Sequence, residues 1–596
     1  MKQLPTAALA AALLSALSAP ALAAAPGSAT AAPGAGPTGA SCVVTGFRVR
    51  GDFTAALDSD RGWAAPANTA AMVEADRPFR IRFGIEAGPA ETGVRRFGLE
   101  YRRNGGEWTE VETGDFPYPS HQTPPVSTVS AAAFGNGAPT ADLLRGSDAP
   151  FRAGAGVALA DLTPGWRGSG AHGEWEWALV IRRLADGAVQ HEPGDRFEFR
   201  MVDGKGCLDG AGNHPMVTLE VPDGHLGGTF VETPGPIGPW QASNGDLYFM
   251  MEPAETGNVL MMMKSVDGGR SWHEADAGNR PVTSDLEGFA SVVHDGTIHM
   301  LHQTSDDVWH HAFRMSGEST SADSWTVRDE RLASPVEPPT QVAALAARSD
   351  GSLVGIYGAD AHLAYRIRSA NGTWGGETLI DADAPTVVSG PMAVTGSDDT
   401  VHLAYTVGDG TAWYRRILPD GRLTARQQLA EGLAYGTDDA VGSILPLAWL
   451  PASDTLVVVY RLADGTLWSR RSGDGDVFSA PARVSARRVV QGAIDSDQAG
   501  ADAVAIGDQV HVLFIEQSTG SVHHAAGGSD GRWSPDRLLV DDVDAQWIRG
   551  RPVRRADGSI AYGYVFDAGS NGGSGMNRYR ELDVEPRPLP VGGAKN

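Results

Sequence analysis

The stretch SVDGGRSW, Ser265 to Trp272, decides how the second half of this chain folds. Its Asp267 carboxylate can accept hydrogen bonds from the amides of its own turn. Glycine reaches positive φ there without a Cβ clash, and Trp272 is large enough to pack between neighbouring sheets. Preceded by the apolar run NVLMMMK, the stretch reads as the turn between the third and fourth strands of a small sheet. Degenerate copies stand at SADSW (Ser321 to Trp325), SANGTW (Ser369 to Trp374) and GSDGRW (Gly528 to Trp533).

Seven short runs recur around these turns: DLYFMM at Asp246, TIHMLH at Thr297, SLVGIY at Ser352, TVHLAY at Thr400, TLVVVY at Thr455, QVHVLF at Gln509 and SIAYGY at Ser559. Their period is about 50 residues, room for a strand before each run, one after it and a polar fourth, which is the content of one propeller blade. The expectation for residues 228–586 is a seven-bladed β-propeller. Its last repeat runs short, and GTFVE (Gly228 to Glu232) would complete it.

Upstream the composition differs. Lys2 precedes AALAAALLSALSAPALA, which ends in the small-x-small spacing Ala21-Leu22-Ala23, so residues 1–23 read as a secretory signal peptide. The run is too short and alanine-rich to span a membrane, and no later segment reaches about 18 uninterrupted apolar residues. Residues 24–40, AAPGSATAAPGAGPTGA, lack the large apolar side chains that offset ordering entropy and read as a flexible linker. From residue 41 to 222, period-2 runs such as WEWALVIRR (Trp175 to Arg183) and RFEFRMV (Arg196 to Val202) predict a β-sandwich. Within FGLEYRRNGGEWTEV, Asn104-Gly105 is a strong hairpin signal. The chain has two cysteines, Cys42 and Cys207, and in an exported protein they are expected to form a disulfide. Closing so long a loop is worth roughly 5 kcal/mol in loop entropy.

The whole chain is therefore expected to be all-β and either secreted or periplasmic. A net charge of -25 argues against nucleic acid as a partner and leaves any anionic ligand dependent on a local basic site.

Ser265, Asp267, Gly269, Ser271 and Trp272 match S-x-D-x-G-x-[ST]-W, so the repeat region resembles the sialidase-like propellers that carry this Asp-box. The resemblance implies a structural turn, on the rim away from that family's active site. Its activity transfers poorly. The family uses an arginine triad, a Tyr and Glu nucleophile pair, an acidic acid/base residue and an Arg-Ile-Pro signature. Here GPIGPW (Gly235 to Trp240) has no arginine, and the mouth arginines are Arg461, Arg549 and Arg551.

In a propeller the ligand face is built by the loops leading into the innermost strands and those joining second and third strands. The sixth position of each run lies near that mouth: Met251, His302, Tyr357, Tyr405, Tyr460, Phe514 and Tyr564. Packing is the weightier expectation for this column as a whole. More polar residues follow it, Glu252, Gln303, Arg461, Glu516 and Asp567. The inner loops add Glu287, Asp438, Asp439, Asp495, Asp497 and Arg549.

Three readings emerge. A sialidase-like hydrolase is the first. A polysaccharide lyase is the second, with His302 as base, Tyr405 or Tyr460 as acid and Arg461 holding the uronate carboxylate. In either enzyme, Glu252, Gln303, Tyr357, Glu516, Arg549 and Asp567 would bind substrate. The third is a glycan-binding propeller whose Trp309, Trp413 and Trp468 stack on sugar faces. The expected partner throughout is an extracellular poly- or oligosaccharide, with the glycan-cleaving enzymes ahead of the lectin. No cofactor is implied. The cluster HQTSDDVWHHAF (His302 to Phe313) makes a poor metal site, because His310 and His311 point to opposite faces of a strand.

Overall fold

The computed structural model describes residues 42–584 apart from 115–123, 186–188, 204–207, 209–213, 228–234, 252–260, 277–278, 282–287, 305–306, 316–321, 335–341, 360–361, 383–387, 434–444, 491–499, 542, 544 and 568–576. The segments read as signal peptide and linker, together with Cys207 and GTFVE, thus lie outside the described residues. The fold is all-β: the one helical element described is a 3-10 turn, Ala322–Ser324. No helix among the described residues is long and apolar enough to cross a membrane.

Among the described residues, two large sheets and a two-stranded one, Leu184–Ala185 with Val189–Gln190, form the N-terminal part. One large sheet is built on Cys42–Arg50, Phe79–Ala87 and His172–Ile181, and the other on Met216–Glu220, Arg196–Val202 and Gly98–Arg103. Ile81, Phe83, Trp175 and Trp177 of the first share a buried cluster with Leu99, Phe197 and Phe199 of the second. The Asn104-Gly105 turn forms as expected, with φ of 51° and 76°, the two positive values a tight hairpin demands. The first sheet's other face is also buried. There Arg50, Arg80 and Arg82 surround Glu176, with Nε of Arg50 3.0 Å and Nε of Arg82 2.5 Å from its carboxylate.

Seven more sheets follow in chain order, six with four strands and the last with three, each paired antiparallel in sequence order. Every recurrent run forms the second strand of its sheet, from Leu247–Met251 through Thr297–Gln303 to Ile560–Asp567. First strands of the second to seventh sheets touch in succession, and that of the seventh touches that of the first. The path returns to the second sheet where Trp240 Nε1 donates to Ser291 Oγ at 2.9 Å.

The three-stranded last sheet finds a further partner in the segment between the two parts. Leu226 N donates to Asn577 O at 2.9 Å and Tyr579 N to Gly224 O at 2.7 Å, an antiparallel pairing just before GTFVE.

Turn Ser265–Trp272 sits against this seam. Asp267 Oδ1 accepts from Arg270 N at 3.1 Å and Ser271 N at 2.9 Å, while its Oδ2 accepts from Ser271 Oγ at 2.6 Å. Gly268 and Gly269 take φ of 75° and 85°, and a Cβ on Gly269 would fall 2.0 Å from the Tyr579 ring. Trp272 is buried against that same ring, with centroids 5.5 Å apart. The turn also holds the N-terminal part: Arg183 Nη2 donates to Trp272 O at 2.9 Å and Gly224 N to Arg270 O at 2.8 Å. Buried Asp76 completes the junction, accepting from Arg183 N at 3.0 Å and lying 2.6 Å from His225 Nε2.

Candidate functional site

All seven members of the sixth-position column are buried, so the column is core in every sheet. His302 packs between the rings of Phe289 and His311, with centroids 5.9 and 6.1 Å away. The Tyr405 phenol donates to Asp381, which also pairs with Arg415 Nη1 at 2.6 Å. Burial first, and then this carboxylate, push the phenol well above its ordinary range. Tyr357 repeats the pattern, donating to Glu377 Oε2 at 2.7 Å and accepting from Arg366 Nε at 3.0 Å, again with its pKa raised by burial and the acid. Burial likewise raises Tyr460.

The residues after the column are mostly committed to backbone. Gln303 bonds both N–H and C=O of Gly358. Asp567 Oδ1 accepts from Gln546 N and Trp547 N at 2.8 and 3.0 Å. Arg461 gives Nε to Val489 O at 2.7 Å and Nη1 to Leu462 O at 3.2 Å. Arg549 gives Nε to Gly235 O at 3.0 Å, and burial lowers its pKa to about 10. Glu516 is ion-paired with Arg487 at 2.9 Å, beside His523 at 3.4 Å. Glu252, Glu287, Asp438, Asp439, Asp495 and Asp497 lie outside the described residues.

His302 belongs to the second sheet, Tyr405 to the fourth, and Tyr460 and Arg461 to the fifth. His302 and Tyr405 are therefore not on adjacent sheets, because the third sheet lies between theirs.

What the register does bring together is each column aromatic with a tryptophan: His302 faces Trp309, Tyr405 faces Trp413 and Tyr460 faces Trp468. All three indoles are half-buried. Trp413 and Trp468 donate Nε1 to the hydroxyl two residues earlier, Thr411 at 2.7 Å and Thr466 at 2.9 Å, which fixes both rings identically. Arg426 lies over Trp413 at 4.7 Å from its centroid and Arg331 over Trp309 at 6.0 Å.

A second repeated arrangement escaped the sequence reading. His299, His402 and His511, at the third position of their runs, each meet a ring on the third strand. The contacts are His299 Nδ1 to His310 Nε2 at 3.3 Å, His402 Nδ1 to Tyr414 Oη at 2.6 Å and His511 Nδ1 to His524 Nε2 at 3.0 Å. The recurrent x-[IV]-H at the start of three runs was the available signal. Among the described residues no group of three or more His, Cys, Asp or Glu is placed to hold a metal ion.

No protein-family model and no curated protein matches this chain. Among solved structures, AofleA from Arthrobotrys oligospora is 10% identical over 53% of this chain and 87% of its own, with a TM-score of 0.36. The six-bladed fucose-recognising lectin of Aleuria aurantia is 12% identical over 55% of this chain and 100% of its own, with a TM-score of 0.34. Trypanosoma rangeli sialidase is 12% identical over 52% of this chain and 56% of its own, with a TM-score of 0.33. Similarity at this level assigns no family.

Proposed function

We propose that the seven sheets are blades of one β-propeller, that the N-terminal sheets form a β-sandwich docked on it, and that the propeller binds extracellular oligo- or polysaccharide. The observation that carries this reading is the register-equivalent trio Trp309, Trp413 and Trp468, half-exposed indoles of which Trp413 and Trp468 are held in one orientation by Thr411 and Thr466, and Trp309 and Trp413 have an arginine alongside. Sugar C–H faces stack on such rings, guanidinium groups hydrogen-bond sugar oxygens, and repeated sites add avidity. The signal sequence fits an exported protein.

A glycan-cleaving enzyme, either a sialidase-like hydrolase or a lyase, is the second reading. The pattern Ser265, Asp267, Gly269, Ser271 and Trp272, shared with the Asp-box of sialidase-like propellers, favours it.

A panel of neutral and acidic polysaccharides separates the two. Retention without new reducing ends or unsaturated-uronate absorbance, lost on replacing the three tryptophans by alanine, supports the lectin. Reducing ends alone select a hydrolase and absorbance with them a lyase. His302→Ala then tests the base, whose loss would slow cleavage by about 10²–10⁴-fold. Unchanged retention in the triple variant would sink the tryptophan assignment.

A further inference from the structure

The seam between the first and seventh sheets contains a cavity of about 330 Å³ on the side of the first-to-second hairpins. That is the opposite end of the ring from Gln303 and Asp567. Trp240, Val293, Arg551, Pro552, Arg554 and Ile560 line it. A neighbouring cavity of about 680 Å³ shares Gln241 and Arg554 with it.

The walls are built, not incidental. Trp240 is fixed by its bond to Ser291 Oγ, which itself donates to Pro236 O at 2.8 Å. The Arg551 guanidinium lies 5.1 Å from the Trp240 ring centroid. It uses Nη1 on Gly550 O at 2.6 Å and faces Asp502 Oδ2 at 3.5 Å, an oxygen that also accepts from Gly550 N at 2.8 Å. Its Nε and Nη2 have no acceptor among the described residues. Arg554 is exposed, and Ile560 leaves an aliphatic wall 38% exposed. Two guanidinium groups against one carboxylate make this a locally cationic concavity in a chain of net charge -25.

A fixed indole and aliphatic walls take the apolar face of a ring, while the spare guanidinium nitrogens match a carboxylate. The space suits one small ring. We propose that this seam cavity binds a cyclic carboxylate of monosaccharide size, the hexuronate class. This site is separate from the Trp309, Trp413 and Trp468 positions and does not depend on them.

The test is titration of the full chain with glucuronate, glucose and acetate, followed by ligand-observed NMR and calorimetry. Glucuronate is expected to bind at least tenfold more tightly than either glucose or acetate. Arg551→Gln should weaken it at least tenfold and Arg554→Gln severalfold, with unchanged melting showing that each variant folds. Should Arg551→Gln fail to fold, the exposed Arg554 position decides. Equal binding of glucuronate and glucose would overturn the proposal, as would equal binding of acetate, which marks simple anion pairing. Full affinity in both arginine variants would also overturn it. Loss of binding in the Trp309, Trp413 and Trp468 triple alanine variant would place the ligand there instead.

Discussion

Gln303 meets Gly358 with both ends of its side-chain amide: Nε2 donates to Gly358 O at 3.0 Å and Oε1 accepts from Gly358 N at 2.6 Å. Oε1 also accepts from Val342 N at 3.2 Å. A side chain thus supplies the rungs that a strand would supply, tying the second sheet to the third. Gln303→Leu should destabilise by about 1–3 kcal/mol, since buried amides lose their acceptor. Chemical denaturation measures this. A variant of wild-type stability that had lost carbohydrate binding would restore Gln303 to the ligand.

Asp267→Ala removes the acceptor for two turn amides and for the hydroxyls of Ser265 and Ser271. The expected loss is about 1–3 kcal/mol, with ligand retention by the folded fraction unchanged. Thermal melting and a binding assay on the same sample check both halves.

Asp76→Ala should loosen the junction between the two parts, because Arg183 N and His225 Nε2 lose their shared buried partner. A cost of roughly 1–3 kcal/mol is expected. Limited proteolysis should then cut near residues 222–227 faster than in the parent, and equal cutting rates would contradict the docking role.

Acid should weaken the fold through the buried histidines. Burial lowers the pKa of His402 and His511 to about 4 and of His299 and His524 to about 3. Since these folded values lie below the ordinary 6.5, the unfolded chain binds more protons and stability falls as pH drops from 6.5 toward 4 and 3. Each such proton contributes on the order of 1.4 kcal/mol per pH unit. Denaturation midpoints across this range report it. His511→Gln should flatten the slope, and an unaltered slope would assign it to other groups.

Non-reduced peptide mapping of exported protein should find Cys42 joined to Cys207. Two free thiols would remove the proposed link between the ends of the N-terminal part.

The local features were legible because local physics creates them. Alternating apolar residues, a turn rich in glycine with one carboxylate, and Asn104-Gly105 specify strands and hairpins over a few residues. Repetition of the runs marked the second strand of each of the seven later sheets. The tertiary structure decided what those strands face. Gln303 looks like a ligand-binding residue until Gly358, far along the chain, is brought against it. Glu174 and Glu176 alternate with Trp175 and Trp177 as solvent-facing residues would, yet they are buried against Arg50, Arg80 and Arg82. The same holds for Tyr405, whose phenol was read as an available acid and is held by Asp381 from the adjacent sheet. A residue type and its periodicity fix which side of a strand it occupies. Whether that side meets water, a ligand or a buried partner depends on contacts between distant segments, which no local pattern encodes.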